Sequence, residues 1–225
     1  MILKELTWLA PMKVRDDIDI NVLSAMLRDR SHRPPVILCP GDVCIDVGAY
    51  IGGASVDWFT WQPQIRVIAV EMDEENYEVL RENLTPYRAV CYNTTVSGDH
   101  ELVGQEWNRN VARATRDGVR HSVTMADFVT QHTRFVKMDI EGSEWEVFDG
   151  ALEWLADVDS IAVQIHEREG RSTSEIVDKL VDAGFRVERD HCFTEFVHGG
   201  DALIASRVGF DDIAMRLREP TGGYL

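Results

Sequence analysis

The stretch VCIDVGAYIGG, residues 43–53, decides the fold of this chain. Its first five residues are apolar apart from Asp46, which indicates a buried strand. The three glycines that follow predict a tight turn and the start of a helix. Further on, VIAVEM (67–72) repeats the strand pattern and carries Glu71 near its end. A glycine-rich turn between strand and helix, followed by an acid on the next strand, is typical of a site for a nucleotide-like cofactor.

The spacing of the glycines narrows the type of cofactor. From Asp46 to Gly52 the turn reads Asp-x-Gly-x-x-x-Gly, whereas a turn that seats a pyrophosphate on a helix N-terminus reads Gly-x-Gly-x-x-Gly. S-adenosylmethionine carries no phosphate, and Asp46 lies where its amino group would need an acid. An acid such as Glu71 accepts hydrogen bonds from ribose hydroxyls. The alternative is structural: both acids cap the helices that follow them, and the glycines only form a turn.

From residue 43 onward, strand-like apolar runs alternate with helix-like segments. This order predicts a mainly parallel sheet with helices on both faces. Two strands, at 186–193 and 202–208, follow the last helix with only a loop between them, so they must pair antiparallel. The predicted fold is therefore α/β and Rossmann-like: a seven-stranded, mostly parallel sheet with a C-terminal antiparallel hairpin and helices on both faces.

Other segments outside the core strands lead to further predictions. Residues 17–30 have apolar residues at helical spacing, with acids first and arginines last, which indicates an N-terminal helix that covers the domain. Residues 144–155 are predicted as one helix. Residues 100–107 and 122–125 are predicted as short strands on either side of a polar segment, 108–120.

Four arginines in and at the end of that polar segment, at 109, 113, 116 and 120, have spacings of 4, 3 and 4, which would align them on one face of a helix. They are interpreted either as a solvated surface or as a clamp for an anionic group of a substrate. Trp107 beside them would stack on a sugar ring or belong to the core.

Charge and composition argue against several classes of function. The chain of 225 residues has a formal net charge of −16, which argues against general electrostatic binding to nucleic acid. No apolar run approaches the roughly 20 residues of a membrane-spanning helix. The N-terminal residues are too charged for a secretory signal, so a cytoplasmic protein is expected. The sequence predicts no particular oligomeric state.

A second group of acids, DIEGSE at 139–144, follows the strand-like run FVKM. Ligands of an open α/β sheet bind outside the carboxyl ends of the strands, where Asp139 is predicted to lie. Asp139 is interpreted as a general base, a metal ligand or a hydrogen-bond acceptor for the methionine part of the cofactor, and Glu141 is grouped with it. Glu144 is interpreted as an acid in the first turn of a helix.

His166, at the end of the run SIAVQIH, is predicted to reach the same edge of the sheet. A histidine there is either a general base for a substrate hydroxyl or a strand-end residue with satisfied hydrogen bonds. Together with Asp139 and Glu167, it could instead hold a hard cation. A divalent metal is not favoured, because such an ion prefers several oxygen ligands at controlled spacing.

Five stretches, taken in order, resemble the FkbM-type S-adenosylmethionine-dependent methyltransferases, a class I, Rossmann-like family. Between residues 43 and 167 they read VCIDVGAYIGG, VIAVEMDEENYEVLRENL, VTMADFV, FVKMDIEGSEWEVFDGA and IAVQIHE. The resemblance implies O-methylation of a hydroxyl on a sugar or other small molecule, with S-adenosyl-L-methionine as methyl donor. We expect a helical extension at 1–40, a methyltransferase domain at 41–209 with an insertion at 98–125, and a helix and tail at 210–225.

The resemblance also implies site residues, with Asp127 and residues 139–141 around the active site. Many class I methyltransferases hold the adenine amino group with an acid after the third strand; this chain has YNTTVS at 92–97, so Asn93 or a backbone group would substitute. The expected catalytic residues are Asp139, Glu141 and His166; the cofactor contacts are Asp46, Gly48, Tyr50, Gly52, Glu71, Met72, Asn93 and Asp139; the substrate contacts are Trp107, Arg109 and Arg113.

The expected partner is a small-molecule or sugar acceptor, rather than nucleic acid or a membrane. Three other functions stay open at this point. A nucleic-acid methyltransferase is disfavoured by the net charge of −16 but keeps some support from the local run of arginines. The other two are of different classes. One is a protein that binds S-adenosylmethionine without catalysis, and the other is an NAD-dependent oxidoreductase. The glycine spacing and the terminal antiparallel pair speak against the oxidoreductase.

Overall fold

The computed structural model describes residues 2–4, 10–108, 111–189, 200–212 and 214–215. Within them, the strands are β1 (Ile2–Lys4), β2 (Met12–Val14), β3 (Val43–Val47), β4 (Arg66–Glu71), β5 (Ala89–Asn93), β6 (Leu102–Asn108), β7 (Val111–His121), β8 (Thr133–Met138), β9 (Val158–His166), β10 (Arg186–Arg189) and β11 (Gly200–Ser206). The α-helices are α1 (Asp17–Asp29), α2 (Gly53–Trp61), α3 (Glu74–Leu84), α4 (Glu144–Asp149) and α5 (Thr173–Asp182), and 3₁₀ turns span Met125–Asp127 and Glu153–Asp157.

Seven strands form the central sheet in the order β10-β11-β9-β8-β3-β4-β5. The pairs β9–β8, β8–β3, β3–β4 and β4–β5 are parallel, whereas β11 runs antiparallel to both β9 and β10. This confirms the predicted α/β architecture with its C-terminal antiparallel hairpin. Strand β3 has β4 on one side and β8 on the other, so the order of the strands reverses beside it. Ligands of such sheets bind at this switch point.

Successive residues of each strand point to opposite sides of the sheet, so the apolar strands present an apolar surface on each face. Helices cover both surfaces. Cys44 and Phe135 face one core with α1, α2 and α3, where Trp58 meets Phe135 edge-on at 5.3 Å between ring centroids. Ile45 and Val136, the next residues along, face the other core with α4 and α5. The continuous apolar runs of the parallel strands follow from this two-sided burial.

The predicted N-terminal helix is present as α1. Asp16 caps it, since its carboxylate accepts hydrogen bonds from the N–H groups of Ile18 and Asp19. Arg30, in the left-handed region at φ 57°, ends it. In the described part of the chain, the helices are all too short or too polar to span a membrane.

The helix predicted over 144–155 is wrong in extent, since α4 ends at Asp149 and a separate 3₁₀ turn follows. The cause is a close backbone approach between two glycines. A Cβ on Gly150 would lie 2.3 Å from the carbonyl oxygen of Gly98. Gly150 therefore takes an extended conformation under the crossing segment and stops the helix.

The segment 100–125 also differs from its prediction. Leu102–Asn108 and Val111–His121 pair as an antiparallel two-stranded sheet, so the arginines at 113, 116 and 120 lie on a strand and the proposed helical face is wrong. The strand predicted at 122–125 is reduced to one parallel bridge between Val96 and Val123. Residues 190–193 of the predicted strand, and residues 213 and 216–218 of the helix predicted at 210–218, lie outside the described residues.

Candidate active site

A cavity of about 290 Å³ lies at the carboxyl ends of β3, β4 and β8, at the switch point of the sheet. Its size is at the lower end of the range for small-molecule sites, and suits one bound molecule of cofactor size. The lining residues are Ile18, Val22, Val47, Gly48, Tyr50, Val70, Glu71, Met72, Asn76, Thr94, Thr95, Val96, Asp139, Ile140, Glu141 and Ser143.

The glycine turn forms one wall because its backbone lies directly on the segment after β8. Gly48 has φ 76°, and a Cβ there would lie 1.8 Å from the carbonyl oxygen of Asp139. The N–H of Asp139 donates to the carbonyl oxygen of Val47 at 3.0 Å. A side chain at position 48 would therefore separate the two walls of the cavity. Gly52, the N-cap of α2 at φ 94°, is not among the lining residues.

Glu71 ends β4 and is 7% exposed. Its carboxylate accepts hydrogen bonds from the N–H groups of Tyr50 and Asp73, both at 2.8 Å. Burial raises the pKa of Glu71 to about 7, although these two N–H groups oppose the shift. Glu71 and Tyr50 both line the cavity, as does Met72. The three residues lie where cofactor contacts were predicted; the contacts themselves stay predictions.

Asn93 has a different role from the one suggested by its position. Its side-chain N–H groups donate to the carbonyl oxygens of Glu71 and Met72, at 3.0 and 3.1 Å. Asn93 therefore fixes the backbone at the end of β4 and is not among the lining residues. Thr94, Thr95 and Val96 line this side of the cavity instead. The absence of an acid after the third core strand indicates that the adenine ring would be held differently from that in many class I methyltransferases. The sequence alone does not single out these three residues as the lining.

Asp46 lies beneath the cavity rather than at its surface. It is fully buried, accepts a hydrogen bond from the Ser55 hydroxyl at 2.7 Å, and lies 3.4 Å from the Nζ of Lys137. Lys137 also donates to the carbonyl oxygen of Gly48 at 2.7 Å. Burial opposes the charge of Lys137, but Asp46 and Asp139 outweigh it and raise its pKa. Lys137, an unusual residue in an apolar strand, thus pairs with Asp46 and supports the glycine turn at Gly48.

Asp139, Glu141 and His166 converge at the other side of the cavity. The His166 Nε2 lies 3.0 Å from Glu141 and 4.0 Å from Asp139. Burial raises the pKa of Asp139 to about 6, Glu141 adds to the shift, and Lys137 opposes it. The Oδ1 atom of Asp139 is buried and has no hydrogen-bond partner in the described structure. An acid with a raised pKa and an unbonded oxygen beside a cavity is suited to accept a proton.

Glu144 explains how these three groups are held. Its carboxylate is fully buried and accepts hydrogen bonds from the N–H groups of Ile140 and Gly142, at 2.8 and 2.9 Å. It also lies 3.1 Å from the Nδ1 of His166. Glu144 is in the first turn of α4, as predicted, but it organises the loop that carries Asp139 and Glu141. That loop includes Glu141 itself in the left-handed region, at φ 57°.

His166 does not have the protonation state of a general base. Burial lowers the pKa of its ring, but the hydrogen bonds to Glu141 and Glu144 outweigh this effect and raise the pKa to about 11. The ring is therefore protonated at neutral pH and cannot accept a proton. It instead places a positive charge between three carboxylates, which favours the ionised form of Asp139.

The same cluster is the one arrangement that could hold a metal among the described residues. One ligand atom from each of Asp139, Glu141 and His166 lies within 4.8 Å of the others. Glu167, which the sequence suggested for such a group, is exposed and does not belong to the cluster. An ion bound to all three residues would have to displace the proton that Glu141 and Glu144 favour on the His166 ring.

The residues expected to contact substrate lie on or beside the β6–β7 hairpin. Trp107 is on β6 and Arg113 is on β7, but their side chains, and Arg109 as a whole, lie outside the described residues. Arg120 is described: it donates to the carbonyl oxygen of Met72 at 3.1 Å and to Asn93 at 3.3 Å. Asp127 is bonded to His100 and Thr124 and is not among the lining residues.

The charge of the cavity wall distinguishes between cofactors. Its described lining includes three carboxylates, Glu71, Asp139 and Glu141, and no lysine, arginine or histidine. A dinucleotide would bring a doubly charged pyrophosphate against these acids. S-adenosylmethionine brings a sulfonium and an ammonium group, which are attracted to them. The unbonded Asp139 oxygen also fits a ligand with positive charge or N–H donors.

Comparison with known protein families finds a match. The family model described as "Methyltransferase FkbM domain" matches residues 46–187, which is more than half of the chain. No curated protein sequence matches the chain.

Solved structures with a similar backbone include three methyltransferases. Precorrin-6y C5,15-methyltransferase from Geobacter metallireducens is 15% identical, with a TM-score of 0.47 over 87% of this chain and 89% of that one. M. capricolum TrmK, in complex with S-adenosyl-homocysteine, is 8% identical, with a TM-score of 0.49 over 82% and 70%. An S-adenosylmethionine-dependent O-methyltransferase from Thermotoga maritima is 15% identical, with a TM-score of 0.46 over 89% and 68%.

Proposed function

The chain belongs to the FkbM methyltransferase domain family, which makes it an S-adenosylmethionine-dependent methyltransferase, and we propose that it methylates a hydroxyl oxygen of a small molecule or sugar. The observation that carries this proposal is the composition of the cavity wall. Three carboxylates and otherwise uncharged residues, both polar and apolar, surround a space for one small molecule at the switch point of the sheet. This environment suits a sulfonium cofactor and a neutral acceptor that must lose a proton.

The residues that would hold the cofactor follow from their positions around the cavity. Glu71 would accept hydrogen bonds from the ribose hydroxyls, and Thr94 to Val96 would face the adenine ring. The backbone of Gly48 and Tyr50 would lie against the methionine part. S-adenosylmethionine, when bound, supplies a methyl group that is electrophilic because it is attached to a positively charged sulfur. The protein's task is to align an acceptor oxygen with that group and to exclude water.

Proton removal is assigned to Asp139. Its pKa of about 6 leaves it ionised at neutral pH yet basic enough to assist in removing a hydroxyl proton as the oxygen forms its new bond. His166 is a positioning residue in this proposal, since its protonated ring lies between Asp139 and Glu141 and favours their ionised forms. Glu141 holds His166 in place at 3.0 Å.

Two measurements test the proposal. Calorimetric titration with S-adenosylhomocysteine and with NAD should show binding of the first and none of the second, because the acidic wall repels the pyrophosphate. Transfer of a labelled methyl group should then be measured over a panel of hydroxylated sugars and small molecules. Binding of NAD instead would favour the oxidoreductase. Binding of S-adenosylhomocysteine without transfer to any member of the panel would favour a non-catalytic binding protein.

A further inference from the structure

Helix α1 places two apolar side chains at the cavity although it lies outside the segment that matches the family model. The match begins at residue 46, and α1 spans Asp17–Asp29. Ile18 and Val22 on this helix both line the cavity, and each is 44% exposed. Residues four apart lie on the same face of a helix, so the two side chains form one continuous apolar surface.

The rest of α1 is fixed on the domain, so this surface has a defined position. Leu23, on another face of the helix, is buried, and its Cδ2 lies 2.4 Å from where a Cβ on Gly53 would be. Immediately after the helix, His32 and Arg33 bind the buried carboxylate of Asp57 on α2, each at 2.8 Å. The helix is therefore packed closely against the start of α2 and held just beyond its C-terminal end.

A hydrogen-bonded chain joins α1 to the residues of the cavity. The Tyr50 hydroxyl donates to the buried Asp19 of α1, and Arg15 donates to the same carboxylate at 2.8 Å. The backbone N–H of Tyr50 donates to Glu71 at 2.8 Å. Tyr50 has φ 52°, in the left-handed region. The hydrogen bond to Glu71 holds its backbone in this conformation, and the hydrogen bond to Asp19 holds its ring. The position of α1 is thus coupled to the glycine turn and to Glu71.

We propose that Ile18 and Val22 form the outer wall of the cofactor site and cover the apolar parts of S-adenosylmethionine. This inference rests on the proposed function. The carboxylates of Glu71 and Asp139 line the same cavity as Ile18 and Val22, and its volume of about 290 Å³ suits one molecule of cofactor size. A cofactor whose polar groups meet those acids, and whose adenine ring lies against Thr94–Val96, would turn the methylene groups beside its sulfur and the other face of that ring toward α1. Binding would bury two aliphatic side chains that are half-exposed in the free protein.

The test is the dissociation constant for S-adenosylhomocysteine, measured by calorimetry on folded variants. The double variant Ile18→Ser/Val22→Ser should bind about tenfold more weakly, because it removes apolar contact with little change in helix propensity. Val22→Trp should weaken binding more, since its ring would fill part of the cavity. Asn21→Trp is the matched control, because Asn21 is the exposed neighbour that does not line the cavity, and it should bind as the wild type does.

The outcomes separate this inference from the proposed function. Wild-type protein that fails to bind S-adenosylhomocysteine overturns the proposed function, and this inference with it. Wild-type binding together with unchanged affinity in both Val22 variants overturns this inference alone. Unchanged affinity with a loss of methyl transfer would assign the surface to the acceptor and would also overturn it.

Discussion

Asp46, near the end of β3, and Asp139, directly after the neighbouring parallel strand β8, lie toward the same edge of the sheet, yet the structure gives them different environments. Asp46 is fully buried and faces Ser55 and the Nζ of Lys137. Asp139 lines the cavity, its side chain is 29% exposed, and its Oδ1 has no hydrogen-bond partner in the described structure. The Oδ1 of Asp46 also has no hydrogen-bond partner in the described structure, but it lies buried 3.4 Å from the Nζ of Lys137, whereas Asp139 lines the cavity.

The comparison shows that a position near a strand end does not by itself place an acid at the surface of the cavity. What separates the two acids is how closely a group of opposite charge approaches each of them. Lys137 forms an ion pair with Asp46 and donates a hydrogen bond to the carbonyl oxygen of Gly48. It acts on Asp139 only by longer-range electrostatics, which lower the pKa of that acid. His166 is the cation nearest to Asp139, at 4.0 Å, but it is bonded more closely to Glu141 and Glu144.

Replacing the lysine is the strongest way to break the closed environment of Asp46. Lys137→Met should lower the free energy of unfolding by about 3–5 kcal/mol, because it leaves Asp46 buried without a cation. Denaturation by urea, monitored by circular dichroism, measures this change. The double variant Lys137→Met/Asp46→Asn removes both charges and should be more stable than the single variant. Equal loss in the single and double variants would contradict a role for the ion pair.

Replacing the open acid should affect catalysis and leave stability intact. Asp139→Asn should lower the rate of methyl transfer by about 100-fold or more, since an amide cannot accept the hydroxyl proton. The acceptor is the member of the hydroxylated panel that responds to the wild type. Affinity for S-adenosylhomocysteine should stay within severalfold, which separates chemistry from binding. Glu153→Gln serves as the control, because Glu153 is an exposed acid that does not line the cavity. A rate of methyl transfer in Asp139→Asn equal to that of the wild type would exclude Asp139 as the base.

Much of the fold could be predicted because its signals are local and repeated. The strand at 43–47 and the helix that begins at Gly53 lie where they were predicted, since a buried apolar run and a glycine turn each act within a few residues. The hairpin of β6 and β7 could not be predicted in this way. Its strands pair with each other outside the central sheet, and the arginine spacing of β7 mimics a helix.

The location of the cavity at the switch point was predictable from the sequence, but which residues line it and what they contact was predictable only in part. Asp46 and Lys137 face each other in the register of β3 and β8, a fact that depends on which strands are neighbours. The protonation of His166 depends on Glu144, which is distant in sequence. From the sequence pattern, Glu144 is predicted only to be an acid in the first turn of a helix. Ile18 and Val22 fitted a helical apolar pattern that normally faces a core, but their surface faces the cavity.

The pH dependence of the reaction sharpens the assignment of the base. If Asp139 accepts the proton, the rate at saturating S-adenosylmethionine should fall tenfold per unit as the pH drops below about 6, because the carboxyl group becomes protonated. It should stay level from about pH 7 to 10. If His166 were the base, its pKa of about 11 would make the rate rise tenfold per unit up to that pH. Saturation with cofactor keeps the titration of Glu71, whose pKa is about 7, from appearing in the rate.

The smallest effect is expected from removing divalent metal. The geometry would allow a metal ion to bind Asp139, because ligand atoms of Asp139, Glu141 and His166 lie within 4.8 Å of one another. The proton on His166 already supplies a positive charge there, and hydrogen bonds to Glu141 and Glu144 hold it. Incubation with EDTA should therefore change the rate of methyl transfer by less than about twofold, since no step of the proton transfer needs a Lewis acid. A loss that Mg²⁺ or Mn²⁺ restores would instead show that Asp139 is completed by a metal, as Asp46 is by Lys137.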